Sequence, residues 1–193
     1  MSRIDAQMAF LAEAEKLRTV LRATPIGDNS RQENSGEHSW HIALYALILA
    51  EHAPEGVRID RVIRMLLIHD IVEIDAGDVP IYAQTEAGQA STEAAEERAA
   101  ARIFGLLPED QAQELLALWH EFEAAETPDA VFAKSLDRFQ PPNLNLASGG
   151  GSWKTYNVTF DVLDQRVGKP VRRGAPALWD WISPKIRAFL NAG

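Results

Sequence analysis

The chain has 193 residues, 46% of them apolar and 24% charged, and its formal net charge at pH 7 is −9. This length and composition predict one soluble globular domain over residues 1–193, with no membrane partner. The negative charge argues against binding to nucleic-acid polymers, because displacing their counterions requires clustered Lys and Arg side chains.

Helical periodicity dominates the first two thirds of the chain and predicts an all-α fold. The first segment interleaves charged residues with apolar ones, unlike a secretory signal, so we expect a cytoplasmic protein. The chain has no cysteine, so a metal site would have to use imidazole and carboxylate ligands. The predicted helices cover residues 4–22, 39–53, 59–71, 91–105, 109–125 and 128–140.

Less regular segments connect and follow these helices. Residues 24–37, TPIGDNSRQENSGE, are typical of a polar linker. Residues 141–153, PPNLNLASGGGSW, predict a Gly-rich loop, because paired prolines and successive glycines break helices. This loop would either cover a site as a lid, with Trp153 as a stacking surface, or connect elements with Trp153 packed on the bundle. Residues 175–193 predict a helical tail, which Pro184 should kink or split and which would serve dimerisation or close the core.

Ionisable side chains lie on the apolar faces of three predicted helices. His38 shares a face with apolar residues of its helix, and His69 and Asp70 continue the apolar stripes of the helix at 59–71. Asp137 lies on a face of small residues. Burying an unpaired carboxylate is costly, so such groups pair with a cation, a metal or a proton. One shared divalent cation would satisfy all three helices, although buried His and Asp side chains also hydrogen-bond to each other.

Three motifs carry a resemblance to a known family: ENSGEHSW at 33–40, LLIHDIVEIDAGDVP at 66–80 and FAKSLDRFQ at 132–140. Together they resemble the HD-domain metal-dependent phosphohydrolases, in particular the branch that contains 5'-deoxynucleotidases. The resemblance covers residues 10–140 and implies an all-α HD-domain helical bundle, with the Gly-rich loop and the helical tail at 141–193. It also implies one divalent metal ion, Mn²⁺, Co²⁺, Mg²⁺ or Zn²⁺, whose ligands are His38, His69, Asp70 and Asp137.

The same resemblance implies catalytic roles for two acids, Glu73 and Asp78, which follow the His-Asp pair. Arg22 corresponds to an arginine that contacts substrate, although Ala23 stands where the nucleotidases carry an aromatic residue. Arg31 is a second candidate for binding the substrate phosphate, because the planar guanidinium matches phosphate oxygens.

Four further polar residues complete the predictions. Lys134 is another candidate positive group for the phosphate. His41 and His52 fall on a polar stripe of their helix and are predicted to lie on the surface. Asp75 matches no motif of the family and is predicted to be a surface residue.

The resemblance implies a divalent-metal-dependent phosphohydrolase that removes phosphate from a small phosphate ester, and we expect a nucleoside 5'-monophosphate. A phosphodiesterase and a catalytically silent metal or nucleotide sensor are the alternatives. The expected partner is therefore a small phosphorylated molecule, and the resembling branch also implies a homodimer.

Overall fold

The predicted helical pattern is present along most of the chain. The structure, a computed structural model, describes residues 2–84 and 86–192, so the ends of the predicted domain, Met1 and Gly193, lie outside the described residues. The helices are α1 (Arg3–Ala14), α2 (Ser35–Ile48), α3 (Ile59–Ile68), α4 (Glu73–Ala76), α5 (Glu86–Phe104), α6 (Glu109–Ala124), α7 (Pro128–Ala147), α8 (Gly151–Thr155), α9 (Phe160–Leu163), α10 (Lys169–Gly174) and α11 (Pro176–Asn191). Together with a single small sheet among the described residues, they confirm the all-α prediction.

Local capping fixes the start of the two helices that matter most for the site. At the start of α2, the Asn34 side chain accepts a hydrogen bond from the Glu37 backbone while the Glu37 side chain accepts one from the Asn34 backbone. At the start of α7, the Thr127 side chain caps the helix and Pro128 occupies the first turn. These caps fix where each helix begins and therefore where His38 and Asp137 lie along their helices.

The N-terminal helix predicted at 4–22 is too long. It ends at Ala14, continues as a 3₁₀ turn, and gives way to strand β1 (Leu21–Pro25). This strand pairs antiparallel with β2 (Gln32–Asn34), inside the stretch predicted to be a polar linker. Thr19, Val20 and Thr24 are β-branched, which favours extended backbone over a helix.

The loop predicted at 141–153 is also wrong in its first half. Helix α7 runs through Pro141 and Pro142 to Ala147, and only a short turn with two glycines of positive φ, Gly149 and Gly150, separates it from α8. The prolines cost backbone hydrogen bonds. Burial of this part of α7 against the rest of the bundle offsets that cost.

Burial decides the role of the aromatic residues in the C-terminal third. Trp153 is 2% exposed and packs against Phe189, so it belongs to the core and cannot act as a stacking surface on a lid. The tail helix α11 passes unbroken through Pro184, so the expected split is absent from these residues. Its residues Trp179 and Ile186 are buried, which shows that the tail closes the core.

The core has two parts, both of which reach the His69 region. The larger part lies between α2, α3, α7, α10 and α11, with α7 in contact with each of the others. The smaller part lies between α1, α5 and α6 and contains Phe10, Phe104 and Trp119. Among the described residues, no helix has both the length and the hydropathy that a membrane crossing needs.

Candidate metal centre

The His-Asp pair lies in a change of helix type. Helix α3 ends at Ile68, one turn before the predicted end, and His69–Val72 form a 3₁₀ turn whose four residues are all buried. A 3₁₀ turn is tighter than an α-helix, with about three residues per turn. The Trp119 indole donates to the His69 carbonyl and holds this turn against α6. The adjacent side chains of His69 and Asp70 are thereby both held in the interior.

Four predicted metal ligands converge at this turn from three parts of the chain. His38 of α2, His69 and Asp137 of α7 each place one ring nitrogen or carboxylate oxygen within 4.8 Å of the others. His38 Nε2 lies 3.0 Å from Asp137 Oδ1, and His69 Nε2 lies 3.7 Å from the same oxygen. Asp70 adjoins the cluster, with Oδ1 2.8 Å from His69 Nε2. The geometry therefore brings all four predicted ligands together.

The hydrogen bonds of His69 show that its inward nitrogen needs a cation. Its Nδ1 lies 2.9 Å from the Leu66 carbonyl, which only accepts, so Nδ1 must carry a hydrogen. In the neutral ring, Nε2 then presents a lone pair. Yet Nε2 is buried 2.8 Å from an Asp70 oxygen without hydrogen-bond geometry. A metal ion or a proton must stand between these two atoms.

His38 is oriented by a buried chain of polar side chains. Gln140 Nε2 donates to Glu33 Oε1 at 2.7 Å, and the same amide nitrogen lies 3.0 Å from His41 Nδ1. The Gln140 carbonyl oxygen therefore faces His38 Nδ1 at 3.1 Å and assigns the hydrogen to that nitrogen. His38 Nε2 then carries no hydrogen and directs its lone pair towards Asp137. Such outer partners are typical of metal-binding histidines.

The donor set fits a divalent transition ion. Two imidazole nitrogens and two carboxylates suit Mn²⁺, Co²⁺ or Zn²⁺, and four protein ligands leave positions open in an octahedral shell. The pKa of His69 in the metal-free site also indicates that the site favours a positive charge. Burial would lower the pKa of His69, but the charges of Asp70 and Asp137 raise it to about 10. A proton thus takes the position of the cation when no metal is bound.

The pKa values of the two carboxyl groups, Asp70 and Asp137, are lowered instead. Burial would raise the pKa of Asp70, but the charges of His69 and Arg22 lower it to about 2. Burial would likewise raise the pKa of Asp137, but the charge of Arg138 and the hydrogen bond with His38 hold it well below its usual range. Both groups are therefore ionised and ready to bind a cation.

The second pair of predicted residues, Glu73 and Asp78, lies beside Asp70 around one arginine. Arg22 Nη1 donates to Asp70 Oδ2 at 2.8 Å and lies 3.9 Å from Glu73 Oε1 and 3.8 Å from Asp78 Oδ1. Burial and the charge of Asp70 raise the pKa of Glu73 well above its usual value, although Arg22 and a 2.5 Å hydrogen bond from Ser35 oppose this. Burial also raises the pKa of Asp78.

These groups line one cavity of about 360 Å³. The lining includes His69, Asp70 and Asp137 and the two acids, together with residues of the 79–84 segment, of α5 and of a face of α7 that carries Lys134 and Arg138. Such a cavity can hold a small molecule next to a bound metal, beside acids whose pKa is raised.

The other candidate residues divide between the cavity and the surface. Lys134 lines the cavity. Arg31 is exposed and makes a two-pronged ion pair with Glu37 at 2.6 and 2.8 Å, and its role in binding the substrate stays a prediction. His52 and Asp75 are exposed, as predicted. His41 is half-buried and bonded to Gln140, so its surface prediction is wrong.

The prediction from sequence missed three residues at the site. Glu33 and Gln140 are the end residues of two of the motifs and act through His38, and Arg138 lines the cavity next to Asp137. All three stand in the quoted motifs, but the contacts of Gln140 with Glu33 and His38 join positions about one hundred residues apart. A sequence pattern carries no signal for such contacts when the residue is an ordinary Glu, Gln or Arg.

Comparison with known proteins places the chain in a family. The human and the zebrafish (Danio rerio) 5'-deoxynucleotidase HDDC2 are 31% and 27% identical over 132 and 138 residues, which cover 68% and 71% of this chain. These matches span 62% and 66% of the two relatives, slightly less than two thirds of their lengths.

A solved structure is more similar still. The crystal structure of a protein from Magnetospirillum magnetotacticum MS-1, named a predicted metal-dependent phosphohydrolase, superposes with a TM-score of 0.92 at 50% identity, covering 98% of this chain and 94% of that one. The family model of the HD domain matches residues 14–179. With its helical bundle and its buried histidines and aspartates, the chain belongs to the HD-domain family.

Proposed function

We propose that this protein is a divalent-metal-dependent phosphohydrolase that removes the phosphate from a nucleoside 5'-monophosphate. The observation that carries the proposal is the buried His69 Nε2, which faces carboxylate oxygens of Asp70 and Asp137 and needs a cation there. The names of the similar proteins, a 5'-deoxynucleotidase and a metal-dependent phosphohydrolase, support the reaction class.

The ligands in this proposal are His38, His69, Asp70 and Asp137. When bound, a divalent ion supplies an activated water and polarises the phosphoryl oxygens. The chain contributes the rest. The polar chain from Glu33 through Gln140 holds His38 with Nε2 free, and the carbonyl of Leu66 does the same for His69.

Glu73 is the proton carrier of the proposed reaction. Burial and the charge of Asp70 raise the pKa of Glu73 well above the ordinary value, which favours the protonated carboxyl group that can protonate the departing alkoxide oxygen of the ester. Asp78 shares this role as the second cavity acid. Arg22 holds Asp70 by a direct hydrogen bond and offsets the charge of both acids.

The cavity favours a small substrate. Its volume of about 360 Å³ lies at the lower end of small-molecule sites, which measure about 300–1,000 Å³. A monophosphate suits this size, and it is compatible with the negative net charge of the whole chain because recognition depends on a local metal and a few cations.

The test is phosphate release from metal-stripped protein, reconstituted separately with Mn²⁺, Co²⁺, Mg²⁺ and Zn²⁺, against all 5'-ribo- and deoxyribonucleoside monophosphates. The proposal predicts release from at least one nucleotide that depends on added metal. Metal binding without release from any nucleotide would contradict it and favour the silent sensor. Conversion of added cyclic nucleotides to nucleoside monophosphates, without phosphate release from any monophosphate, would favour the phosphodiesterase.

A further inference from the structure

Three cationic side chains line the cavity: Arg22, Lys134 and Arg138. Two of them already have carboxylate partners. Arg22 Nη1 donates to Asp70 at 2.8 Å. Lys134 Nζ donates to both oxygens of Glu123 at 3.0 and 3.1 Å. Their charges are compensated within the protein.

Arg138 differs from both. Its closest charged group is Asp137, at 3.7 Å between Nε and Oδ2, and no hydrogen bond to its guanidinium occurs within the part of the chain that the structure describes. The Arg138 side chain is 30% exposed, and it lines the cavity as part of α7. The guanidinium therefore retains its donors for a ligand.

The position of Arg138 ties it to the metal centre. Asp137 directs Oδ1 towards His38 and His69, and its other oxygen lies beside Arg138. Both side chains come from consecutive residues of one long helix that is packed on several neighbours. An anion at the metal centre would thus have a cation close by on α7.

The surroundings of Arg22 favour such a cation. Arg22 lies within 4 Å of four carboxyl groups, those of Asp70, Glu73, Asp78 and Glu33. Its positive charge is therefore already engaged by acids of the protein, and a further positive group that faces the substrate would strengthen the attraction for a phosphate dianion.

We propose that Arg138 binds the phosphoryl oxygens of the substrate from the α7 wall of the cavity. The assignment rests on the proposed function and adds to it a substrate-binding residue. Arginine suits this task because its planar fork donates two parallel hydrogen bonds to phosphate oxygens.

The test measures binding of inorganic phosphate to the Mn²⁺-loaded protein by calorimetry, without turnover. Arg138→Gln should weaken phosphate binding about tenfold or more, since it removes a charge-assisted contact. It should keep Mn²⁺ binding, because Arg138 is not a ligand. Arg3→Gln removes the same charge from an exposed ion pair with Asp110, away from the residues that line the cavity, and is the matched control, with phosphate binding as in the wild type.

A second readout separates binding from folding. Arg138→Lys keeps the charge without the fork and should recover part of the phosphate affinity and part of kcat/KM. Wild-type phosphate affinity in Arg138→Gln would overturn the assignment, and so would a wild-type protein that binds Mn²⁺ but no phosphate. Absence of nucleotide hydrolysis by the wild type would instead overturn the proposed function, while the phosphate titration still decides the role of Arg138.

Discussion

Each histidine of the candidate metal centre has one ring nitrogen fixed by a hydrogen bond, which leaves the other nitrogen for a cation. His69 donates to a backbone carbonyl and His38 to the Gln140 side chain. The carboxylates of Asp70 and Asp137 complete the site. Because all four side chains are almost fully buried, the electrostatic demand for a cation is strong.

The first prediction at the residue scale concerns Asp70. Asp70→Asn should lower Mn²⁺ affinity at least about tenfold, because it removes an anionic ligand and leaves the neutral amide beside Arg22. Asp75→Asn, five residues later, removes the same charge from an exposed residue paired with Arg102 and should leave Mn²⁺ affinity unchanged. Calorimetric titration measures both. Equal affinities in the two variants would exclude Asp70 as a ligand.

The second prediction uses Glu96, which lines the cavity on α5. Burial, and then the charge of Glu123, raise the pKa of Glu96 to about 7 from an ordinary value of 4.5, against the opposing charge of Lys134. Between these two pKa values, the Glu96 carboxyl group holds a proton in the folded state and has lost it in the unfolded state. Stability due to Glu96 is complete below pH 4.5 and is lost as the pH rises through 7.

Glu96→Gln stays neutral at every pH and should avoid this loss. At pH 8 its Tm should exceed that of the wild type by about 2–4 °C for each kcal/mol by which the substitution raises the free energy of unfolding. At pH 4.5 the two Tm values should be close. Glu51→Gln, at an exposed position, removes the same charge and serves as the control. A difference in Tm that is the same at both pH values would contradict the assignment.

At this scale the sequence identified ionisable residues that lie among apolar ones. His38, His69, Asp70 and Asp137 interrupt apolar faces, and the structure brings them together. Arg31 lies in a polar segment instead, and its partner Glu37 could not be identified from charge alone.

At the scale of elements, α7 connects the site to the rest of the bundle. It supplies Asp137, Arg138 and Gln140 and packs on α10. Local rules predicted that Pro141 and Pro142 would end this helix, but its burial among its neighbours outweighs the lost hydrogen bonds. The hairpin of β1 and β2 was missed for a related reason, since a two-stranded pair needs support from tertiary contacts with α2 and α7.

The contact of α7 with α10 gives the prediction at this scale. A Cβ added to Gly174 would lie 2.5 Å from the Val131 carbonyl oxygen of α7, closer than van der Waals contact allows. Gly174→Ala should therefore destabilise the protein by about 1–3 kcal/mol, measured by urea unfolding. Gly27→Ala places its Cβ at an ordinary 3.6 Å from Ala147 and should cost much less. Equal losses would show that α7 and α10 do not pack this closely.

At the scale of the whole molecule, the candidate metal centre joins α2, the 3₁₀ turn at His69–Val72 and α7. These elements come from the first, second and last thirds of the described chain, so a bound ion would cross-link parts that the sequence keeps far apart. The predicted homodimer and the predicted cytoplasmic location stay predictions.

Metal binding should therefore stabilise the entire fold. A ligand that binds only the folded state adds about 2.7 kcal/mol at one hundred times its Kd, which corresponds to a Tm about 5–10 °C higher for a chain of this size. Differential scanning calorimetry of the metal-stripped protein with and without Mn²⁺ measures this shift. A Tm that does not change at saturating Mn²⁺ would mean that the ion does not bind the folded bundle.

Anomalous diffraction from a crystal of the Mn²⁺-loaded protein tests the metal centre most directly. We predict one strong peak at bonding distance, about 2.0–2.3 Å, from Nε2 of His38, Nε2 of His69 and a carboxylate oxygen each of Asp70 and Asp137. A peak bound to other residues, or no peak in the cavity at saturating Mn²⁺, would contradict the assignment of these four residues as ligands.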